Sequence, residues 1–362
     1  MEPGNLPFCR EVLNAPPPAR YTPGKVVRGL LGPMPLPVLN YCSEEMGALL
    51  KSVLEREQFD LIHLESIHMA GYVPLIESRS KAPLVFDWHN IESEAMSRYA
   101  AGAPTPAHSA YARLTAKRLF KMEQQILRKA AGHIVCSARE ADQLKERLPG
   151  VNVAVVENGA DTRRYAGLKA ALHGRDALVF VGSMDYRPNI DAAIYFAREV
   201  WPLVRRRFPA WRFVIVGSDP ARSVRALAAQ PGIEVTGSVE DVRAYYGKAL
   251  AAVVPLRMGG GTRLKILEAM AAGTPVVSTA LGAEGIDFTP DRDIILADKP
   301  ADWLDALNAL AGSAERWREL SCAGRDLVSS RYDWDAIGEE LFDIYCDWLE
   351  PDAVKDGSRR QS

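Results

Sequence analysis

The chain has 362 residues, 48% of them hydrophobic and 25% charged, an ordinary globular composition long enough for two domains with separate cores. A formal net charge of −2 argues against a nucleic-acid protein, and five scattered cysteines (Cys9, Cys42, Cys136, Cys322, Cys346) without CxxC spacing suggest neither a zinc site nor a disulfide framework and fit a reducing cytoplasm. No apolar run of about 18 residues and no signal peptide stands out, so an integral membrane protein is not expected, while peripheral membrane contact stays open.

Residues 1–42 carry nine prolines by residue 40, Pro16-Pro17-Pro18 among them, and no convincing strand, so they are expected to be irregular. From Ser43 an alternating pattern sets in. A helix to about Glu57 is followed by strands Phe59 to His63 and Leu84 to Asp87, a long helix from about Ala107 to Lys129, strand His133 to Cys136, a helix, and strand Val153 to Val156. The turn Glu157-Asn158-Gly159-Ala160-Asp161 and the polar stretch after it mark a domain border, placed at residue 168. A second series then runs through strands ending in Gly182, Gly217 and Gly237, strand Leu250 to Pro255, and strands Pro275 to Ser278 and Ile294 to Leu296. Strands alternating with helices imply parallel sheets, and ligands in such sheets bind at the carboxyl edge. Two helices after Trp303 close the second domain at about residue 332. A last helix (residues 333–350) carries Trp334, Phe342, Tyr345 and Trp348, aromatics expected to pack between domains rather than bind sugar. The polar tail from Lys355 reads as disordered.

The most informative run is Gly259-Gly260-Gly261-Thr262-Arg263-Leu264-Lys265-Ile266-Leu267-Glu268-Ala269-Met270, directly after the buried strand. Three residues without Cβ let a ligand approach backbone amides, and Thr262 suits the N-cap of a helix whose positive end favours an anion. Arg263 and Lys265 fall in the first turn, where cations oppose the helix dipole and an external anion would relieve the conflict. Glu268, a turn and a half on, could reach a ribose diol. An ordinary strand–loop–helix unit with solvated charges is the alternative. No Gly-Lys-Ser/Thr follows the glycines, which excludes a Walker A loop, and no Gly-x-Gly-x-x-Gly opens a helix after a strand.

On these residues the chain resembles the GT-B glycosyltransferases, specifically the family 4 group. The matching segments are Phe180-Val181-Gly182, Val216-Gly217, Gly237-Ser238-Val239-Glu240-Asp241 and Pro255 through Ser278, with weaker matches at Phe86-Asp87-Trp88-His89-Asn90 and Asn158-Gly159-Ala160-Asp161. The resemblance implies an α/β fold of two Rossmann-like domains whose parallel sheets face a cleft. A UDP- or GDP-linked sugar would be held by the second domain and a glycan or lipid-linked acceptor mainly by the first. It assigns Arg263 and Lys265 to the donor diphosphate, Glu268 to the ribose, and Gly182, Gly237, Val239 and the Gly259 to Thr262 turn to the donor pocket. An acid that relatives often place eight residues before Glu268 is here Gly260, and where many relatives carry an Arg and a Lys after the first strand, Ser183 follows Gly182 and Arg187 or Asn189 stands nearby. The family's first strand and glycine-rich loop have no counterpart in residues 1 to 58, so the N-terminal domain is expected to be incomplete.

Glycosyl transfer needs the departing diphosphate stabilised, which cations and helix-end amides do without a metal or other cofactor. Asp291-Arg292-Asp293 and Asp333-Trp334-Asp335 are therefore expected to serve turns and caps rather than a metal. The resemblance places His89 near the donor sugar or its diphosphate, a capping or core histidine being the alternative. If the family's retaining stereochemistry holds, the leaving phosphate can take the acceptor proton. Glu92 and Glu94 are explained equally by a helix dipole. The helix bearing Arg113, Lys117, Arg118, Lys121, Arg128 and Lys129 could meet an anionic membrane or simply be solvated. Three functions compete: a glycosyltransferase in polysaccharide or cell-envelope glycan synthesis, a nucleotide-sugar epimerase of the same architecture, and a nucleotide-sugar-binding partner of a glycan assembly complex.

Overall fold

The computed structural model describes residues 9–103, 105–168, 174–258 and 264–349. They fall into two compact units, one taking the chain up to Val156 and again from Phe342, the other running Glu157–Leu341.

The first unit holds a four-stranded parallel sheet in the order β1 (Ile62–Glu65), β2 (Leu84–Asp87), β3 (Gly132–Val135), β4 (Val153–Val155). β1 lies three residues later than the expected Phe59 start, because its register sets Ile62 opposite Leu84 and Glu65 opposite Asp87, leaving Phe59 exposed. The expectation of an irregular proline-rich start is corrected: Pro23–Leu31 and Leu36–Leu39 are helices. Their prolines stand in the first turn, where no N–H is needed, and Thr22 caps the first helix by accepting from Lys25 N at 3.3 Å. Leu36, Val38 and Leu39 are buried, so apolar burial outweighs the proline count.

Helix Glu44–Arg56 starts where Ser43 Oγ accepts from Met46 N at 3.1 Å, with Glu44 and Glu45 at its positive end and Arg56 at its negative end. Long helix Pro106–Lys129 and helix Glu92–Ala101 are tied together by the fully buried Glu123, which accepts from Ser93 N at 2.8 Å and from Arg147 Nη1 at 2.6 Å. Phe86, Trp88, Ile67, Ile76 and Leu119 form the centre of this unit's core. The second half of the last helix, Trp334–Leu349, contributes Tyr345 and Trp348, the latter packed against the start of β3.

The second unit holds six parallel strands: β5 (Ala177–Val181), β6 (Arg212–Val216), β7 (Ile233–Gly237), β8 (Ala249–Val254), β9 (Val276–Ser278) and β10 (Ile294–Leu296). All six positions of β8 are buried, as expected for a strand covered on both faces. The sheet order is β10-β9-β8-β5-β6-β7, so the chain builds outward from β5 in one direction, returns, and builds outward from β8 in the other. That reversal makes the gap between β5 and β8 the topological switch point. Trp201, Trp303, Trp317, Phe180, Phe196 and Phe213 are fully buried in this unit's core, each burial worth about 2–3 kcal/mol. Helices Pro300–Gly312 and Ala314–Arg331 close this unit, the first beginning just before Trp303.

Candidate functional site

In the second unit, the carboxyl ends of β5 and β6 approach more closely than side chains permit. A Cβ on Gly217 would sit 1.7 Å from the Gly182 carbonyl oxygen, and one on Gly182 would sit 2.7 Å from Asn189 Nδ2 and 3.0 Å from Lys265 Nζ. The two loops are stitched together by Gly182 N donating to Val216 O at 3.0 Å and Met184 N to Ser218 O at 2.9 Å, and Gly217 N ties the second to the end of β7 by donating to Gly237 O at 3.2 Å. Glycines at these strand ends thus let bare backbone form the floor at the switch point.

Lys265 reaches this floor from helix Leu264–Ala271. Its Nζ donates to Asn189 Oδ1 at 2.6 Å and lies 4.8 Å from the centre of the Phe180 ring. Asn189, buried at the start of helix Arg187–Tyr195, donates in turn to Ser183 O at 2.9 Å. Of the two residues the sequence offers near this position, the structure brings Asn189 to Lys265, and Arg187 stays exposed on the first helical turn. Half-buried Glu268 faces the hydroxyls of the buried Tyr165 and Tyr246; burial pushes its carboxyl above the usual range, opposed by the Arg164 charge and the Tyr246 hydrogen bond. Burial first, and then the Glu268 charge, raise both tyrosines as well. Gly237 and Val239 lie at the end of β7 on the same edge. Gly259, Gly260, Gly261, Thr262 and Arg263 lie outside the described residues.

Sequence reasoning missed Arg257 and Asp191. Arg257, just past β8, makes a two-pronged contact with Asp191 (Nε to Oδ2 3.1 Å, Nη2 to Oδ1 2.8 Å) and lies 4.4 Å from the Tyr195 ring centre. It fastens the exit of β8 to the helix after β5, on either side of the switch point. Acids of both Asp-x-Asp triplets accept from backbone N–H groups. Asp293 accepts from Thr289 N at 2.8 Å, and Asp333 accepts from Thr162 N at 3.2 Å and Asp335 N at 2.9 Å.

In the first unit, polar groups gather at the carboxyl ends of β1 and β2. His89 Nε2 lies 2.8 Å from Glu65 Oε2, its backbone N–H donates to Asp87 Oδ1 at 3.1 Å, and its Nδ1 is 3.6 Å from that same oxygen. His63 Nε2 is 3.7 Å from Glu65 Oε1, and His63 Nδ1 bonds the Tyr345 hydroxyl at 2.6 Å. Burial, with Asp87 and Glu65 adding to it, pushes the Tyr345 phenol up to about 12. Two non-glycine residues here adopt positive φ: His89 at 44° and Ser66 at 71° with ψ 149°, a region that L side chains rarely enter. Each costs about 1–3 kcal/mol, whereas an exposed ion pair returns about 0–1 kcal/mol. The Glu65 and His89 side chains are 65% and 47% exposed, so their contact does not repay the strain around it. Of the expected basic helix, Arg118 is spent on the carbonyls of Gly29 and Leu30 and Lys129 on Glu77, while Arg113, Lys117 and Lys121 face solvent. Among the described residues no helix is long and apolar enough to cross a membrane.

Residues 8–164 match the family described as Glycosyltransferase Family 4, and residues 175–313 the one described as Glycosyl transferases group 1. A phosphatidyl-myo-inositol mannosyltransferase of Propionibacterium freudenreichii is 26% identical over 66% of this chain and 62% of its own length, so the chain spans less than two thirds of that relative. A GDP-mannose:cellobiosyl-diphosphopolyprenol alpha-mannosyltransferase of Xanthomonas oryzae is 24% identical over 90% of this chain and 84% of that protein. Among solved structures, the sucrose-phosphate synthase of Thermosynechococcus elongatus superposes with a TM-score of 0.63 over 85% of this chain and 78% of that one, at 19% identity, a likeness of fold.

Proposed function

Since the chain belongs to the family 4, group 1 glycosyltransferases of the GT-B fold, we propose that it transfers a sugar from a UDP- or GDP-linked donor to a glycan or lipid-linked acceptor. The observation that carries this reading is the switch point of the second unit. The bare Gly182–Gly217 floor at the ends of β5 and β6 and the Lys265 ammonium at the start of helix Leu264–Ala271 meet at the carboxyl edge of the sheet, beside the β5–β8 switch point. These are the parts that a diphosphate needs, a cation and inward-facing backbone beside a helix start.

On this reading Lys265, with Arg263 from the glycine turn, takes up the negative charge that develops on the departing diphosphate, and no metal is required for that step. Lys265 is held ready by Asn189, so little reorganisation is needed when the anomeric bond breaks. The leaving phosphate takes the acceptor proton, consistent with retention at the anomeric carbon. Glu268 meets the ribose, its carboxyl shared with Tyr165 and Tyr246. That the Xanthomonas relative is named for a GDP-sugar donor and a diphosphopolyprenol acceptor supports both halves of the assignment. Polysaccharide or envelope glycan synthesis is the setting that fits.

Titration calorimetry with UDP- and GDP-linked sugars tests the proposal. The wild-type chain should bind one nucleotide class, and Lys265→Ala and Glu268→Ala should each weaken binding by about tenfold or more. A wild-type chain that binds neither class would refute the donor site.

A further inference from the structure

The acidic and imidazole groups at the edge of the first sheet are not absorbed by the donor site of the second unit. From them we infer that Glu65 is the positioning residue for His89. The inference rests on the transfer reading above together with the role at the reacting sugar that the family resemblance gives His89.

A carboxylate can only accept, so the 2.8 Å contact between Glu65 Oε2 and His89 Nε2 puts the ring proton on Nε2. On the other side of the ring, Asp87 Oδ1 is occupied by the His89 backbone N–H at 3.1 Å and stands 3.6 Å from Nδ1, beyond hydrogen-bond length. Glu65 therefore fixes both the tautomer and the tilt of the ring and leaves Nδ1 as an acceptor open to a hydroxyl donor such as one of the sugar's. Glu65 is itself braced. Its second oxygen faces His63 Nε2 at 3.7 Å, and His63 is tied through Nδ1 to the Tyr345 hydroxyl at 2.6 Å. The backbone enforces the meeting: Ser66 at φ 71° ends β1 directly after Glu65, His89 at φ 44° turns back over β2, and Ser66 N donates to Asp87 O at 2.8 Å to lock the two turns side by side. A pair formed by chance between two exposed side chains would not require strained backbone next to each partner.

The test is a double-mutant cycle on the full chain, read as kcat and donor KM for sugar transfer or donor hydrolysis, using Glu65→Ala, His89→Ala, the double variant and Glu65→Gln. Glu65→Ala should lower kcat by about tenfold to 100-fold with donor KM changed less than about threefold, since it misplaces a group without removing a donor contact. The double variant should be no slower than His89→Ala alone. Glu65→Gln should recover most of the rate, because its amide oxygen still accepts from Nε2–H. Effects that multiply independently, a Glu65→Ala variant with wild-type kcat, or a Glu65→Gln variant as slow as Glu65→Ala would each overturn the positioning role. A second readout needs no donor. In long-range proton–nitrogen spectra of the free chain, His89 should be Nε2-protonated in the wild type and a mixture of tautomers in Glu65→Ala, and identical spectra would overturn the inference. A chain that turns over no UDP- or GDP-sugar while Glu65→Ala still shifts the His89 tautomer would sink the transfer reading and leave the ring contact standing.

Discussion

Replacing Gly217 by alanine should damage the second unit far more than the same change at Gly237, although both glycines end strands of one sheet. At Gly217 the added carbon would lie 1.7 Å from the Gly182 oxygen and 2.7 Å from its carbonyl carbon, against a comfortable separation of about 3.5 Å. Both neighbours are backbone, so no side-chain rotation relieves the overlap and the ends of β5 and β6 must part. The hydrogen bonds at risk are Gly182 N to Val216 O, Gly217 N to Gly237 O and Met184 N to Ser218 O. Losing two of these, with their donors left in a half-buried loop, costs about 1–3 kcal/mol each, so the expected loss of stability is about 2–6 kcal/mol. Gly237, at φ 72°, has nothing within 4 Å of the added carbon, so alanine there pays only the left-handed backbone cost of about 1–2 kcal/mol. Urea unfolding of both variants, followed through tryptophan fluorescence, gives the two numbers. Calorimetry with UDP and GDP gives the consequence for the floor of the site, where Gly217→Ala should lose binding. Equal destabilisation by the two variants, or unchanged nucleotide affinity in Gly217→Ala, would refute the close-approach argument.

Two further outcomes concern the first unit. Glu123 is fully buried between Ser93 and Arg147, whose side chain is only 12% exposed, so Glu123→Ala strips Ser93 N of its acceptor, leaves the guanidinium with the more distant Glu94 at 3.8 Å, and should cost about 3–5 kcal/mol. Glu123→Leu combined with Arg147→Met should recover much of that in urea unfolding, and no recovery would show that the pair does more than neutralise itself. His133 is held neutral: burial lowers it to about 4, and Nδ1 accepts from Trp88 Nε1 at 3.2 Å, so a proton on that nitrogen would face another donor. The unfolded chain therefore binds more protons between about 4 and 6.5, so this contribution to stability is full above 6.5 and drains away as pH falls toward 4, by roughly 3 kcal/mol in all. His133→Gln, whose amide oxygen can still accept from Trp88, should flatten the pH dependence of the unfolding free energy across that window, and an unchanged slope would contradict the assignment.

What the sequence reveals here depends on how many residues carry each signal. Strands such as Val253-Val254 and Phe213-Val214-Ile215-Val216 are buried on both faces and read as unbroken apolar runs, and the short apolar runs of β2 and β10 match their expected spans residue for residue. The glycines at strand ends were legible for the same reason, since a run that stops on glycine marks an edge where backbone is bare. The proline-rich start misled because prolines were read as breakers, when Pro23 and Pro37 occupy first-turn positions that favour a helix. Arg257 and Asp191 are single polar residues that find each other across 66 positions, and no local pattern announces such a contact. Glu65 shows how sharply this limit falls. With a strand over Phe59 to His63 it would be a loop residue beyond the sheet, whereas the register that sets Ile62 against Leu84 makes it the last residue of β1, opposite Asp87 and within reach of His89. A shift of a few residues in one short strand, decided by long-range pairing and not by local propensity, thus separates a solvated carboxylate from one that can orient a histidine.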